Sequence, residues 1–132
     1  MIITQAILDD LTKQAQSSSR LRSYLDLRNT PEDLSQRLLI AIEPESICSI
    51  HRHQETSETL ACLRGKFVIE FYDELERRCV ESVVISPNGN AVAVDIPAGQ
   101  WHTVHSLESG TIILESKDGK YEPTGPEDIL TL

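Results

Sequence analysis

The sequence predicts an all-β domain, a sandwich or barrel of short antiparallel strands, preceded by one amphipathic α-helix. Two observations carry that expectation. From Ser35 onward, apolar and β-branched residues come in short runs separated by turn residues, whereas before it Ile7, Leu8, Leu11 and Ala15 recur at helical spacing within Thr4 to about Gln16. The 132 residues are 39% hydrophobic and 25% charged, the size and composition of one globular domain.

The helix stripe predicts an element that packs onto something larger, ending at Ser17-Ser18-Ser19. Asn29-Thr30-Pro31-Glu32-Asp33 is a polar turn or a capped helix start. Eight strands are then expected, at 36–42, 46–53, 59–64, 66–72, 78–85, 91–96, 103–107 and 111–116. Turns are expected at Glu43-Pro44-Glu45, Asp73 to Glu76, Ser86 to Asn90, Pro97-Ala98-Gly99 and Ser109-Gly110, with Asp118-Gly119 ending the last strand. Residues 1–34 are thus an N-terminal helix and lead-in, 35–122 the β-barrel, and 123–132 a C-terminal tail.

Charge and composition exclude several function classes. Asp and Glu number 21 against 12 Lys and Arg, a net charge of -9, which disfavours a nucleic-acid partner. The longest apolar run, Leu38 to Ile42, is far below the roughly 20 residues of a membrane span. The N-terminus has no signal-peptide pattern, so a cytoplasmic location is expected, with no membrane partner. Cys48, Cys62 and Cys79 are an odd number without Cys-x-x-Cys spacing and are expected as reduced thiols. Cys62 shares the parity of Glu58 but lacks the flanks of a nucleophile, and Cys48 has the opposite parity to His51 and His53.

The chemistry concentrates in His51-Arg52-His53, Glu58 and His102. Alternation along a strand puts both imidazoles of His51 and His53 on one face, a hairpin returns the Glu58 carboxylate beside them, and a closed barrel would bring His102 opposite. Neutral imidazole and carboxylate suit a borderline divalent ion. One such ion is expected, Fe2+, Mn2+, Ni2+ or Zn2+, held by His51, His53, Glu58 and His102. An octahedral ion would keep two positions for other ligands, and a tetrahedral Zn2+ would be nearly closed. His105 faces away from His102 and is expected to be a satisfied or exposed side chain.

These residues resemble the cupin family, whose first motif is Gly-(x)5-His-x-His-(x)3-4-Glu-(x)6-Gly. His51, His53, Glu58 and Gly65 fit it, with Glu45 at the opening glycine. The second motif, Gly-(x)5-Pro-x-Gly-(x)2-His-(x)3-Asn, is met by Pro97, Gly99 and His102, with Ala91 and Ser106 at its glycine and asparagine. The resemblance implies a jelly-roll-like antiparallel β-barrel with a metal inside. Ser19-Arg20-Leu21-Arg22, Gln36-Arg37-Leu38, Leu63-Arg64-Gly65, Trp101-His102-Thr103 and Glu115-x-Lys117-x-Gly119-x-Tyr121 further resemble the WbuC family of small cupin metalloproteins, associated with bacterial surface-polysaccharide gene clusters. Asp26-Leu27-Arg28 replaces that family's Asn-x-His, and Ile129 to Leu132 its C-terminal Trp-x-Pro.

The resemblance implies a metal-bearing barrel without naming its reaction, and the first expectation is a metal-binding protein that acts on or binds a small oxygen-bearing molecule, such as a sugar or sugar-nucleotide of surface-polysaccharide metabolism. The metal would be a Lewis acid in isomerase, epimerase or lyase chemistry. The alternatives are an Fe(II)-dependent dioxygenase and a non-catalytic ligand-binding module. Glu115 is the candidate general acid or base, with Lys117 beside it, against the alternative of a solvated edge-strand pair. Trp101 could stack on a ring, although packing is its commoner role. Arg37 and Arg64 could hold a carboxylate or phosphate, with structural ion pairs, for example to Glu58 or Glu70, as the favoured reading. By resemblance a homodimer through outer strands is expected.

Overall fold

The computed structural model describes residues 1–132. Helix α1 spans Gln5–Ser17, one residue later than its periodicity suggests. Thr4 caps it, its side-chain oxygen accepting from the Ile7 amide at 3.4 Å. The strands are β1 (Arg22–Asp26), β2 (Ser35–Ile42), β3 (Ile50–His51), β4 (Glu58–Arg64), β5 (Phe67–Asp73), β6 (Arg78–Ile85), β7 (Ala93–Ile96), β8 (Trp101–Ser106), β9 (Thr111–Asp118) and β10 (Ile129–Leu130).

Two five-stranded sheets form, ordered β1-β2-β9-β4-β7 and β10-β3-β8-β5-β6. From β2 to β5 and again from β6 to β9 the chain changes sheet at each connection, so neighbours in sequence face one another across the core. The expected closed barrel is corrected by this pairing: no ladder joins the two sheets, and β1, β7, β10 and β6 remain edges. The fold is an open jelly-roll sandwich.

Period-two alternation sorts the side chains. Outward, Leu39, Ala41 and Ile112 meet Leu8, Leu11 and Ala15 of α1, which bury one face of the helix. Burying each of the two helix leucines contributes roughly 1.5–3 kcal/mol, which fixes the helix to the sheet. Inward, Ile42, Leu60, Phe67, Ile69, Val104 and Ile113 fill one end of the sandwich. At its other end the same inward rows change character. Ile113 gives way to Glu115 and Lys117 on β9, Leu60 to Glu58 on β4, and Val104 to His102 on β8, so a polar chamber opens where the aliphatic core stops.

Three strand expectations are corrected. The 46–53 stretch keeps only Ile50–His51 as strand, because the Ser46 amide turns back to the Glu43 carbonyl and the Cys48 carbonyl accepts from the Thr103 hydroxyl. The lead-in contributes β1, paired with β2 from Arg22↔Ile42 to Asp26↔Leu38. The tail contributes β10, paired with β3 at Ile129↔His51.

A buried carboxylate ties the helix to the β8–β9 turn. Glu43 accepts from Ser109 Oγ at 2.5 Å and the Gly110 amide at 2.8 Å, with Gln16 Nε2 at 3.4 Å. Glu43→Gln turns one acceptor into a donor facing these donors and is expected to destabilise the fold by about 1–3 kcal/mol. An unchanged urea midpoint would refute that role.

Candidate metal centre

The four metal-ligating residues expected from the sequence come together. His51 and His102 are register partners across β3 and β8, and Glu58 enters from the start of β4 in the facing sheet. His53 lies just past β3 rather than within it. The ligand atoms of all four lie within 4.8 Å of one another. Atoms sharing an ion at bonds of about 2.0–2.2 Å are at most roughly 4.4 Å apart, so a small inward settling suffices.

Backbone carbonyls set the tautomers. His51 Nδ1 lies 2.8 Å from the Ser49 carbonyl and His102 Nδ1 2.8 Å from that of Gln100. A carbonyl only accepts, so both Nδ1 atoms carry hydrogen and both Nε2 atoms point into the cluster, where an ion would displace the proton that His102 Nε2 shares with the Glu58 carboxylate. His102 Nε2 is 2.8 Å from Glu58 Oε1. Glu58 Oε2 is buried without a hydrogen-bond partner, with His53 Nε2 and Lys117 Nζ each 3.8 Å away. An orphaned buried carboxylate oxygen among three imidazoles is the donor set a divalent cation satisfies.

The tail braces the segment that carries two ligands. Asp128 accepts from Arg52 Nε at 3.0 Å and Gln54 Nε2 at 2.6 Å, and the Arg52 guanidinium lies 4.5 Å from the centroid of the Trp101 ring. Arg52 is thereby clamped between Trp101 and Asp128, with His51 and His53 on either side of it in the chain.

The electrostatics follow from burial and close neighbours. Burial, reinforced by the Lys117 charge, pushes the His53 imidazole down to about 4, which keeps it neutral and free to ligate at neutral pH. Glu58 is also buried, but the hydrogen bond and charge of His102 outweigh that and hold its carboxyl below the usual range. Glu115 moves the opposite way, raised by burial and then by the negative Glu58.

Cys48 corrects the expected parity. Residues before Ile50 leave the strand, alternation lapses, and the Cys48 side chain lines the chamber beside His51. Burial opposes its ionisation, yet the hydrogen bond and charge of His51 bring the thiol down to about 6; in return the Cys48 contact outweighs burial and raises His51. Nothing in strand periodicity marks Cys48, because its position depends on a local irregularity.

The chamber holds about 450 Å3 and reaches from the four ligands to β1, within the size range of small-molecule sites. Glu115 and Lys117 line it. Trp101, Arg37 and Arg64 do not. Trp101 is buried behind the ligand row, its Nε1 donating to Glu74 Oε2 at 3.2 Å. Arg37 donates to the Leu27 carbonyl at 2.9 Å and lies 3.5 Å from Asp33, because odd positions of β2 face the helix side. Arg64 sits beyond the β4 bulge and pairs with Asp9 of α1 at 2.8 Å, with Gln5 adjacent. Neither arginine pairs with Glu58 or Glu70. His105 is partly exposed and pairs with Glu70 at 2.9 Å.

Comparison with known proteins gives a family and a fold. Residues 3–84 match the family model described as "Domain of unknown function (DUF6016)". No curated protein matches the sequence. Among solved structures, KdgF from Halomonas sp. has a TM-score of 0.61 at 15% identity, over 76% of this chain and 82% of that one. The capsular polysaccharide assembling protein CapF from Staphylococcus aureus has a TM-score of 0.67 at 23% identity, over 87% of this chain but only 32% of CapF. Oxalate oxidase in complex with glycolate has a TM-score of 0.62 at 14% identity, over 81% of this chain and 55% of that one. These neighbours are cupins, and the likeness establishes that fold here. No helix is long and apolar enough to cross a membrane.

Proposed function

The chain belongs to the family described as a domain of unknown function (DUF6016), and within it we propose a divalent-metal cupin that acts on a small oxygen-bearing molecule in its chamber. The observation that carries this reading is the convergence of His51, His53, Glu58 and His102 around the partnerless Glu58 Oε2. An ion held there would supply Lewis-acid polarisation of a bound carbonyl or hydroxyl oxygen. The chain's own groups do the rest. The Ser49 and Gln100 carbonyls hold the His51 and His102 rings in their ligating tautomers. Glu115 faces the same chamber, lies outside the four-ligand set and forms no ion pair of 4.0 Å or less, so it is the group placed to take or give a proton. Lys117, between His53 and Glu58, positions both. The resemblance to the WbuC family, and a solved neighbour described as a capsular polysaccharide assembling protein, support a sugar or sugar-nucleotide as the molecule handled.

The test is elemental analysis of protein purified without metal-affinity resin, beside the His51→Ala/His102→Ala double variant and Glu115→Gln. Near-stoichiometric Fe, Mn, Ni or Zn is expected in the wild type and in Glu115→Gln, and is lost in the double variant. Folded wild-type protein that carries no ion and takes none from added salts would remove the metal reading.

A further inference from the structure

Four cations and three acids, Asp26, Glu58 and Glu115, line the chamber, and two of the cations have no acidic partner. Of the 12 Lys and Arg in a protein of net charge -9, Arg20, Arg22, Arg28 and Lys117 line this cavity. Two are neutralised. Arg28 lies against both oxygens of Asp26 at 2.7–3.1 Å, and Lys117 faces Glu58 at 3.8 Å. Arg20 and Arg22 are not. Arg22 donates Nε to Ser46 Oγ at 2.9 Å and Nη2 to the Ile47 carbonyl at 2.7 Å, two neutral acceptors that fix the guanidinium without cancelling its charge. Ser46 is buried, and its hydroxyl donates to the Arg20 carbonyl at 2.7 Å, so one side chain ties the Arg22 guanidinium to the Arg20 backbone. The Arg20 guanidinium has no hydrogen bond or ion pair of its own.

The backbone between them is unusual. Leu21 has a φ of 54°, the left-handed region that a branched residue adopts only at a cost of roughly 1–2 kcal/mol. Its neighbours offset that cost: the Leu21 amide donates to the Ser18 carbonyl at 3.0 Å, and its carbonyl accepts from the Glu43 amide at 3.0 Å. This turn leads directly into β1, where Arg22 and Tyr24 point into the chamber.

Resting on the metal-centre reading above, we infer that the molecule handled is a small organic anion, its carboxylate or phosphate held by Arg20 and Arg22 at the β1 side of the chamber while its oxygen function reaches the four-ligand cluster. Planar guanidinium donors match either oxyanion, and Arg22, already fixed by Ser46 and the Ile47 carbonyl, loses less freedom on binding than a mobile donor would.

The test compares three six-carbon probes on the protein as purified: glucuronate, glucose 6-phosphate and glucose, with dissociation constants from calorimetry. At least one anion is expected to bind roughly tenfold or more tightly than glucose, and which one binds identifies the carboxylate or the phosphate source. Arg20→Glu, at an exposed site, is expected to erase the preference, and Arg22→Met to do the same with its melting curve as a check on folding. Failure of both anions to bind, equal binding of glucose, or an unchanged preference in Arg20→Glu overturns the inference. The same titrations on chelator-treated protein separate the two ideas. A preference that survives without metal supports the anion site even where the metal reading fails, and stoichiometric metal without any preference leaves the metal reading and removes this one.

Discussion

Chelator-treated protein is expected to gain stability steeply on adding the right divalent ion, and the His102→Ala variant to gain none. An ion that binds only the folded chain stabilises it by RT ln(1 + [L]/Kd), about 2.7 kcal/mol at a hundredfold excess over Kd. For a domain of this size that corresponds to a rise in melting temperature of roughly 8–15 °C. The physical source is local. The orphaned Glu58 Oε2 acquires a partner, and the repulsion between Glu58 and Glu115 falls once a positive charge stands beside them. The gain should shrink as pH falls and protons compete with the ion, although burial and Lys117 keep the His53 imidazole neutral down to about 4. Calorimetric scans with Fe2+, Mn2+, Ni2+ and Zn2+ check this, and superimposable scans with and without every ion would refute a folded-state metal site.

Two motif glycines are expected to respond very differently to alanine, although both have positive φ. At Gly65, φ is 74° and an added Cβ would stand 2.7 Å from Thr111 Cα and 2.4 Å from its hydroxyl. That hydroxyl joins the β4–β5 and β8–β9 turns, accepting from the Lys66 amide and from Ser106 Oγ and donating its one hydrogen to the Lys66 or the Glu108 carbonyl. Gly65→Ala therefore adds a backbone clash and a disturbed buried network to the left-handed penalty, about 3–5 kcal/mol together. At Gly99, φ is 84° but nothing lies within 4 Å of the added atom, so Gly99→Ala bears the conformational term alone, about 1–2 kcal/mol. Gly99→Asn should recover part of that, since Asn tolerates this region. Urea midpoints decide the matter, and equal losses at the two positions would refute the steric distinction.

Much of the centre was legible because its signals are local. The His51-x-His53 spacing, four residues to Glu58, and the placement of His102 after Pro97-Ala98-Gly99 each describe a strand end or a turn, and the structure joins all four ligand atoms within 4.8 Å. The parity of Cys62 with Glu58 likewise held, because both lie on the regular strand β4. Expectation and structure part where alternation is interrupted or where a neighbour supplies the partner. Cys48 reaches the chamber because its stretch leaves the strand. Trp101, by contrast, takes the packed role favoured for it, because inward positions on β8 are the even ones.

What the amino-acid sequence determined by itself, then, is the period-two pattern, the turns and the amphipathic helix, all properties of residues a few positions apart, together with the short motifs that mark the four candidate ligands. Tertiary structure alone decided that the sheets stay open, that β1 and β10 exist, and that Arg20, Arg22 and the four candidate ligands share one chamber. The reason is physical. A strand edge has no preferred partner until another strand arrives, and pairs such as Arg22↔Ile42 or Ile129↔His51 gain their hydrogen bonds only after distant segments have been brought together.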